Sequence, residues 1–489
     1  MALAEQISAL RYAVRLRIVA KYLGQLATVL AALTCMPLVV ALLFGEYHLA
    51  LRYAVVVIGL AAVGIPIGRR GTVTSLQFNE GLVITALTFV LSPLVMSFPM
   101  TGAGLHFSDA LFEAISGVTT TGLTTLSHVQ EMPRSFLFAR AWMQWYGGLG
   151  IVVLSLAALV GPGGVAKRLA SVEGDTDDIA SNTRRYAQHA IVVYSVLTVA
   201  AVAVLWALSG DFFNALLQGL TAVSTGGFST FDQSIAGFAN PAVPVAVMLF
   251  CLLGAAPLLL YYQAYQRGWG ALLANAQWRV LLFLVVAAAV LTILLMLLDG
   301  RLAPGASVYH GALLALSAQT GAGFSTVDVD ALSDPTKLSL MVFMLIGGGV
   351  GSTTGGIKVL RLIIIAKLVW LIVQRAGMPT HAVAEPRLGR ERLDNTDIER
   401  AFVLLTLFVA TVTVSWLPFL LFGHDPLNSL FEVVSATATV GLSTGVTGPE
   451  LHPLLKGVLC LDMLLGRLEM IAFLVLLAPG TWFGNRGEA

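Results

Sequence analysis

The sequence predicts an all-α polytopic membrane protein with four pseudo-symmetric span–loop–span repeats and two extra N-terminal transmembrane helices. Three observations predict this fold class. The 489 residues are 57% hydrophobic and only 11% charged, whereas a soluble domain carries about 25% charged residues. Apolar runs long enough to cross the hydrocarbon layer as helices recur from end to end. Four similar segments rich in Thr, Ser and Gly lie between such runs.

Ten apolar runs are candidate transmembrane spans. They cover residues 18–44, 49–68, 81–100, 136–161, 187–209, 241–265, 279–298, 337–375, 400–422 and 452–478. The first run follows several basic residues, as the core of a secretory signal does, but it is longer than such a core. We therefore expect a retained span at the N-terminus rather than a cleaved signal.

Basic residues indicate the orientation of the spans. They cluster at the N-terminus and in alternate connections, including Arg69–Arg70, 167–185 and 375–400. Connections rich in Lys and Arg face the cytoplasm. With an even number of spans, both termini then lie in the cytoplasm, as do the long polar segments 162–185 and 376–399.

The connections on the opposite side share one pattern. Residues 113–125, 218–230, 314–326 and 432–444 align without gaps, and after the first column every position except Gln319 is apolar, small or hydroxyl-bearing. One column is always glycine: Gly122, Gly227, Gly323 and Gly441. An upstream column carries a hydroxyl in each case: Ser116, Thr221, Ser317 and Ser435. A pattern that returns roughly every hundred residues predicts repeated architecture rather than four unrelated loops.

This pattern suits the coordination of a cation. Non-helical backbone at membrane depth survives only where protein buries it or where it lines a watery cavity. A short helix, about 108–118 in the first repeat, would present the negative end of its dipole just before the glycine. Carbonyls of the extended chain beyond it can replace the water shell of an ion, and glycine allows successive carbonyls to point the same way. No Asp or Glu lies within five residues before these glycines, so a ring of carboxylates is not expected.

The four loops resemble the filter loops of the TrkH/KtrB/HKT superfamily of potassium transporters, in which one chain folds around one pore. The segments WMQWYGGLGIVV at 142–153 and GRLEMIAFLVLLAP at 466–479 also resemble TrkH. The two spans before residue 70 favour the TrkH branch over the shorter KtrB branch. The resemblance implies a selectivity filter formed by Thr120, Thr121, Gly122, Thr225, Gly226, Gly227, Gly321, Ala322, Gly323, Thr439, Val440 and Gly441.

The resemblance also implies an ion preference and a division of the chain. Plant relatives that prefer sodium carry serine at the first filter position, where this chain has Gly122, so potassium is expected. Val440 and the Gly321–Gly323 run depart from the usual pattern. The expected units are a two-helix extension at 1–70, pore repeats at 71–168, 169–268 and 269–375 (the last including a gating loop), and a fourth pore repeat at 376–489.

A glycine-rich run at 347–356 interrupts the eighth span. It is not a phosphate-binding loop, because Ile357 separates the last glycine from Lys358 and no strand precedes it. It is either a close helix–helix contact or an unwound segment beside a watery cavity. The resemblance favours the second and implies a gate formed by Gly347, Gly348, Gly349, Gly351, Gly355, Gly356, Lys358 and Arg467. Arg467 could instead form a structural ion pair with Glu113 or Glu432.

The resemblance implies a potassium uptake protein of the cytoplasmic (inner) membrane that conducts like a channel. It further implies a homodimer, a cytosolic TrkA-like nucleotide-binding regulatory subunit, and contact with membrane lipid. K⁺ would be the transported ion, with no cofactor in the chain and no nucleic-acid partner. A sodium-permeable member or a cation-coupled symporter remains an alternative, although symporters usually have inverted repeats. An enzyme is not expected, since the sequence has no HExxH, GxSxG or clustered acidic pair.

Overall fold

The computed structural model describes residues 13–70, 76–159, 179–377, 387–388, 391–393 and 395–483. Within these residues the chain is almost entirely helical, and the one sheet is a two-residue antiparallel pair, β1 (Arg387–Leu388) with β2 (Glu391–Arg392). Six of the described helices are long and apolar enough to cross a membrane, and one bent pair could be a seventh. Residues 162–178 of the predicted polar segment 162–185, half of the segment 376–399, and the repeat boundaries at 70/71 and 168/169 lie outside the described residues.

Two helices precede the repeats and form a hairpin, α1 (Leu16–Leu43) and α2 (Tyr47–Gly68). Their backbones lie close together, because a Cβ on Gly64 would come within 2.8 Å of the carbonyl oxygen of Gly24. The hairpin is joined to the first repeat by the indole of Trp142, which donates to the carbonyl of Leu33 at 2.9 Å. The expected N-terminal extension is therefore a packed part of the fold.

The other helices form four consecutive groups, each with a span, a short helix and a returning span. The first group is α3 (Phe78–Met100), α4 (Phe107–Val118) and α5 (Arg134–Leu159). The second is α6 (Ile179–Ser209), α7 (Phe212–Val223), α8 (Ala242–Ala255) and α9 (Leu258–Arg267), followed by the short α10 (Gly270–Ala274). The third is α11 (Ala276–Asp299), α12 (Pro304–Thr320), α13 (Asp334–Leu345) and α14 (Val359–Ala376). The fourth is α15 (Asn395–Leu421), α16 (Pro426–Thr437), α17 (Pro453–Arg467), α18 (Ile471–Leu477) and α19 (Pro479–Phe483). The predicted class of four span–loop–span repeats after two extra helices is confirmed.

Three returning spans are broken, and only the break in the third repeat was expected. In the second repeat α8 and α9 meet at an angle of 83°, so the predicted span 241–265 is not straight. Pro257 at this break has no N–H to donate within a helix. In the fourth repeat the first helix of the predicted span 452–478 ends at Arg467, and Glu469 and Met470 then have positive φ, 51° and 61°. The sequence did not indicate these two breaks.

In three of the four repeats, a glycine brings the returning span against the end of the short helix of its own repeat. In three repeats, a Cβ on a glycine of the returning span would collide with the carbonyl of the last residue of that short helix. The pairs are Gly147 with Val118, Gly254 with Val223, and Gly466 with Thr437. This recurring contact places the ends of the short helices deep between the spans, where side chains are buried.

Candidate ion-conduction site

Four segments that follow the short helices meet in a closed ring. A Cβ on Gly227 would lie 2.7 Å from the carbonyl oxygen of Ala322 in the next repeat. The same relation holds for the other three glycines. Each one faces a carbonyl in the next repeat, and that carbonyl belongs to the residue just before the aligned glycine of that repeat. The remaining pairs are Gly122 with Gly226, Gly323 with Val440, and Gly441 with Thr121. The contacts run from repeat one to four and back to one, so the four glycines form one ring, here called the glycine ring.

The backbone has the same conformation in all four segments. The glycines of the glycine ring have φ of 90°, 85°, 73° and 94° in chain order. Two residues earlier, Thr120, Thr225, Gly321 and Thr439 also have positive φ, between 51° and 63°. A left-handed threonine is strained, and such strain persists only where the surroundings impose it. Three threonines held this way at equivalent positions indicate one repeated geometry.

Each segment is held from behind by its own short helix. The backbone N–H of the residue before each ring glycine donates to the backbone carbonyl of the upstream Ser or Thr in the short helix, at 2.8–3.0 Å. The donor and acceptor pairs are Thr121 with Ser116, Gly226 with Thr221, Ala322 with Ser317, and Val440 with Ser435. In the first and fourth repeats the serine hydroxyl also accepts from the N–H of the ring glycine at 3.0 Å. These bonds use up the N–H groups on the helix side and leave carbonyl oxygens as the available polar groups.

Two threonine hydroxyls lie buried at the base of the ring. The Oγ1 atoms of Thr120 and Thr439 are buried and form no hydrogen bond with the described residues. A buried hydroxyl without a partner is costly, so these atoms are candidates for ligands of a permeating ion. Among the described residues, no three His, Cys, Asp or Glu side chains gather as a metal site. Carbonyl and hydroxyl oxygens are groups that can replace the hydration shell of a cation.

The glycine-rich break, residues 346–358, lies directly against this ring. A Cβ on Gly355 would collide with the Thr439 side chain, and the Thr353 hydroxyl donates to the carbonyl of Val223 at 3.2 Å. The second repeat's break supplies further partners, because the carbonyls of Gly254 and Ala255 accept from the N–H groups of Thr353 and Gly349. The segment is therefore unwound, buried and hydrogen-bonded to two other repeats. We call it the intramembrane loop.

Comparisons with known proteins agree with this geometry. The family model of TrkH, described as a cation transport protein, matches residues 55–481. The chain belongs to the TrkH family. It is 30% identical to the Trk system potassium uptake protein TrkH of Halomonas elongata, over 96% of this chain and 99% of that one. It is 28% identical to an uncharacterized cation transporter of Methanocaldococcus jannaschii, over 93% of this chain and 94% of that one. The crystal structure of the potassium transporter TrkH from Vibrio parahaemolyticus superposes with a TM-score of 0.85 at 26% identity, covering 96% of this chain and all of that one.

Two buried cations of this TrkH-family chain contact the intramembrane loop. Arg467 donates to the carbonyl of Thr353 at 2.7 Å and to that of Gly147 at 3.3 Å. Lys358 donates to the carbonyl of Thr354 within the loop. Arg467 forms no ion pair with Glu113 or Glu432, so the ion-pair alternative is wrong. Glu113 pairs instead with Arg140, and Glu432 accepts from the backbone and side chains that follow the fourth ring glycine.

Several residues at this site were not predicted from the sequence. Arg140 holds Glu113 at 2.9 Å and lies over the ring of Phe228 at 3.8 Å. Gln144 contacts the second repeat's segment. Arg361 forms an ion pair with Glu469 beside the loop. Arg140 and Gln144 lie four residues apart on the inner face of α5, and a polar pair at helical spacing within an apolar span was the signal available.

Replacing Arg140 with leucine should destabilise the protein. The substitution leaves the Glu113 carboxylate fully buried without its cation, and breaking a buried pair in this way costs about 3–5 kcal/mol. Thermal melting of the detergent-solubilised protein measures the effect. Adding Glu113→Gln, the residue that Gln218 provides at the aligned position, should recover most of the lost stability. A single variant as stable as the parent would show that the pair does not hold the fold.

Proposed function

We propose that this protein takes up potassium across the cytoplasmic membrane by channel-like conduction through the glycine ring. The observation that carries the proposal is the closed order of the ring, in which each glycine faces a carbonyl of the following repeat. Four equivalent backbones can surround one ion with carbonyl oxygens at similar distances. The relatives that are named potassium uptake proteins support potassium as the cargo.

The proposed filter consists of the three residues of each repeat that end at the ring glycine. They are Thr120, Thr121 and Gly122; Thr225, Gly226 and Gly227; Gly321, Ala322 and Gly323; and Thr439, Val440 and Gly441. The C-terminal ends of the four short helices lie next to these residues. Because a helix C-terminus carries about half a negative charge, the ends favour a cation without any carboxylate. Thr120 and Thr439 would add hydroxyl oxygens at the base of the filter.

The intramembrane loop is the proposed gate. Its contacts with Val223 and Thr439 lie at the base of the filter in two repeats, so its position decides whether an ion can leave towards the cytoplasm. Arg467 and Lys358 bring positive charge to the same region and raise the barrier for a cation while the loop stays in place. The glycines proposed to let it move are Gly347, Gly348, Gly349, Gly351, Gly355 and Gly356.

Regulation is proposed to come from outside the chain. The chain is proposed to form a homodimer. A cytosolic TrkA-like nucleotide-binding subunit would act on the cytoplasmic ends of α14 and its neighbouring helices, and both termini would lie on that side. The name Trk system, carried by the relatives, fits a protein that works with further components. The transported K⁺ is the only ligand proposed, and the protein is proposed to be a transporter without enzymatic activity.

Gly122→Ser tests the filter. The added Cβ would press on the backbone of Gly227, 2.9 Å from its Cα, and disturb one member of the ring. We expect the K⁺/Na⁺ permeability ratio to fall about tenfold, equivalent to about 1.4 kcal/mol. Gly104→Ser is the matched control, because Gly104 has nearly the same φ, 93°, but no atom within 4 Å of its Cβ position. An unchanged ratio in a well-folded Gly122→Ser protein would contradict the filter assignment.

A further inference from the structure

The glycine ring departs from fourfold symmetry at one point. The residue before the ring glycine carries a side chain in three repeats, Thr121, Ala322 and Val440, but is Gly226 in the second. The space beside Gly226 is filled from another repeat. All three atoms nearest to a Cβ built on Gly226 belong to Gln144 of α5, with the Gln144 Cβ at 2.9 Å. Gln144 itself is fully buried.

Gln144 forms two hydrogen bonds with the second segment. Its Nε2 donates to the carbonyl of Gly226, and its Oε1 accepts from the N–H of Phe228 at 3.2 Å. The side chain thus holds the peptide groups on both sides of Gly227. The amide donates to the first and accepts from the second; an ionised glutamate cannot donate, and leucine can do neither.

The bond to Gly226 makes its carbonyl different from its three counterparts. No hydrogen bond from a described residue reaches the carbonyls of Thr121, Ala322 or Val440. A carbonyl that already accepts an N–H is fixed in direction and has less lone-pair density for an ion. The ring therefore has three free carbonyls and one that is restrained.

We propose that Gln144 is a positioning residue that sets ion selectivity by restraining the Gly226 carbonyl. The inference rests on the proposed function, since it requires the glycine ring to bind the permeating ion. A restrained carbonyl cannot move inwards, and it exerts a weaker field on the ion. Both effects favour the larger potassium ion over sodium, because sodium needs shorter distances and a stronger field to offset its dehydration. Release of this carbonyl should therefore shift permeability towards sodium.

Gln144→Leu keeps the approximate volume and removes both hydrogen bonds. We expect the K⁺/Na⁺ permeability ratio of the purified full-length protein in proteoliposomes to fall about fivefold, while the loss of two buried hydrogen bonds lowers the melting temperature. Gln218→Leu is the matched control. Gln218 is also a buried amide, it forms no hydrogen bond with the described residues, and the aligned position in the third repeat is Leu314. That control should keep the parent ratio.

A second pair of variants tests the same contact without relying on Gln144→Leu. Gly226 does not have positive φ, and the three atoms nearest to a Cβ at this position all belong to the Gln144 side chain. Gly226→Ala alone should strongly reduce flux. Gly226→Ala with Gln144→Ala should recover flux but keep the lowered K⁺/Na⁺ ratio, because the collision is relieved while the restraint stays absent. Coupling between contacting residues appears as such non-additivity.

The outcomes separate the two levels of the argument. A parent-like ratio in Gln144→Leu, or in the double variant if the single one fails to fold, overturns the role of Gln144. If Gly122→Ser still lowers the ratio in that case, the filter assignment stands. If neither Gly122→Ser nor Gln144→Leu alters the ratio, the proposed function itself fails.

Discussion

Replacing Gly227 with valine is expected to abolish selective potassium uptake while leaving most of the protein folded and inserted. The added Cβ would lie 2.7 Å from the carbonyl oxygen of Ala322, and a contact under 3 Å forces backbone on one side to move. The residue also has φ of 85°, which a β-branched side chain resists. Uptake of ⁸⁶Rb⁺ or K⁺ per folded protein measures the loss, which we expect to exceed about a hundredfold, or about 2.7 kcal/mol.

Gly210→Val provides the control for backbone strain. Gly210 has φ of 72°, but no atom lies within 4 Å of its Cβ position, so the substitution brings strain without crowding. This variant should transport at a rate close to that of the parent. Normal selective uptake by Gly227→Val, at normal expression, would show that Gly227 does not face the conduction path.

Shortening the intramembrane loop by deleting residues 350–353 is expected to raise basal ion flux. The deletion removes the hydrogen bonds that the Thr353 hydroxyl donates to the carbonyls of Val223 and Gly254. It also removes the Thr353 carbonyl, which accepts a hydrogen bond from Arg467. An unwound segment with several partners in other repeats can have two arrangements of similar energy. After the deletion the path below the proposed filter should stay open, so flux should rise about tenfold, lose its response to the proposed cytosolic regulator, and keep its K⁺/Na⁺ ratio.

A milder variant distinguishes a gate from a packing contact. Thr353→Val keeps the shape and removes only the hydroxyl bonds, so it should raise flux by a smaller factor. Thr292→Val is the matched control, because the Thr292 hydroxyl is buried, bonds to no described residue and lies on α11, away from the loop. If the deletion lowers both flux and the yield of folded dimer, the segment is a packing contact and the gate proposal is wrong.

The four-repeat fold could be predicted because its signals are local and repeated. Composition and the spacing of apolar runs indicate spans, and four aligned glycines indicate equivalent loops. The first short helix, expected at about 108–118, is α4 at Phe107–Val118. The order of contacts around the ring could not be predicted, because it depends on how the repeats pack in space.

The breaks in the second and fourth repeats were missed for a related reason. Apolar runs that include Pro257, or that pass through Glu469 and Met470, look continuous in a hydropathy reading. At the break in the second repeat, the intramembrane loop donates to the backbone carbonyls of Gly254 and Ala255. At the break in the fourth repeat, Glu469 forms an ion pair with Arg361. Arg467 was expected near the loop, but its contacts with the carbonyls of Thr353 and Gly147 are set by tertiary packing.

The partner of Glu113 and the role of Gln144 depend on contacts between elements that sequence spacing does not fix. Arg140 lies 27 residues from Glu113, and Gln144 lies 82 residues from Gly226. Both side chains project from α5, and Gly147 of the same helix lets α5 approach Val118 closely. A polar residue in a span indicates that a partner exists, but the partner's identity follows from the fold.

The reversal potential of the purified protein in planar bilayers, under opposing K⁺ and Na⁺ gradients at equal pH, tests the central claim most directly. A conduction path through the glycine ring predicts a reversal potential close to the potassium equilibrium potential and unchanged when a pH gradient is added. A reversal potential near the sodium equilibrium potential, or one that moves with the pH gradient, would contradict potassium-selective channel-like conduction.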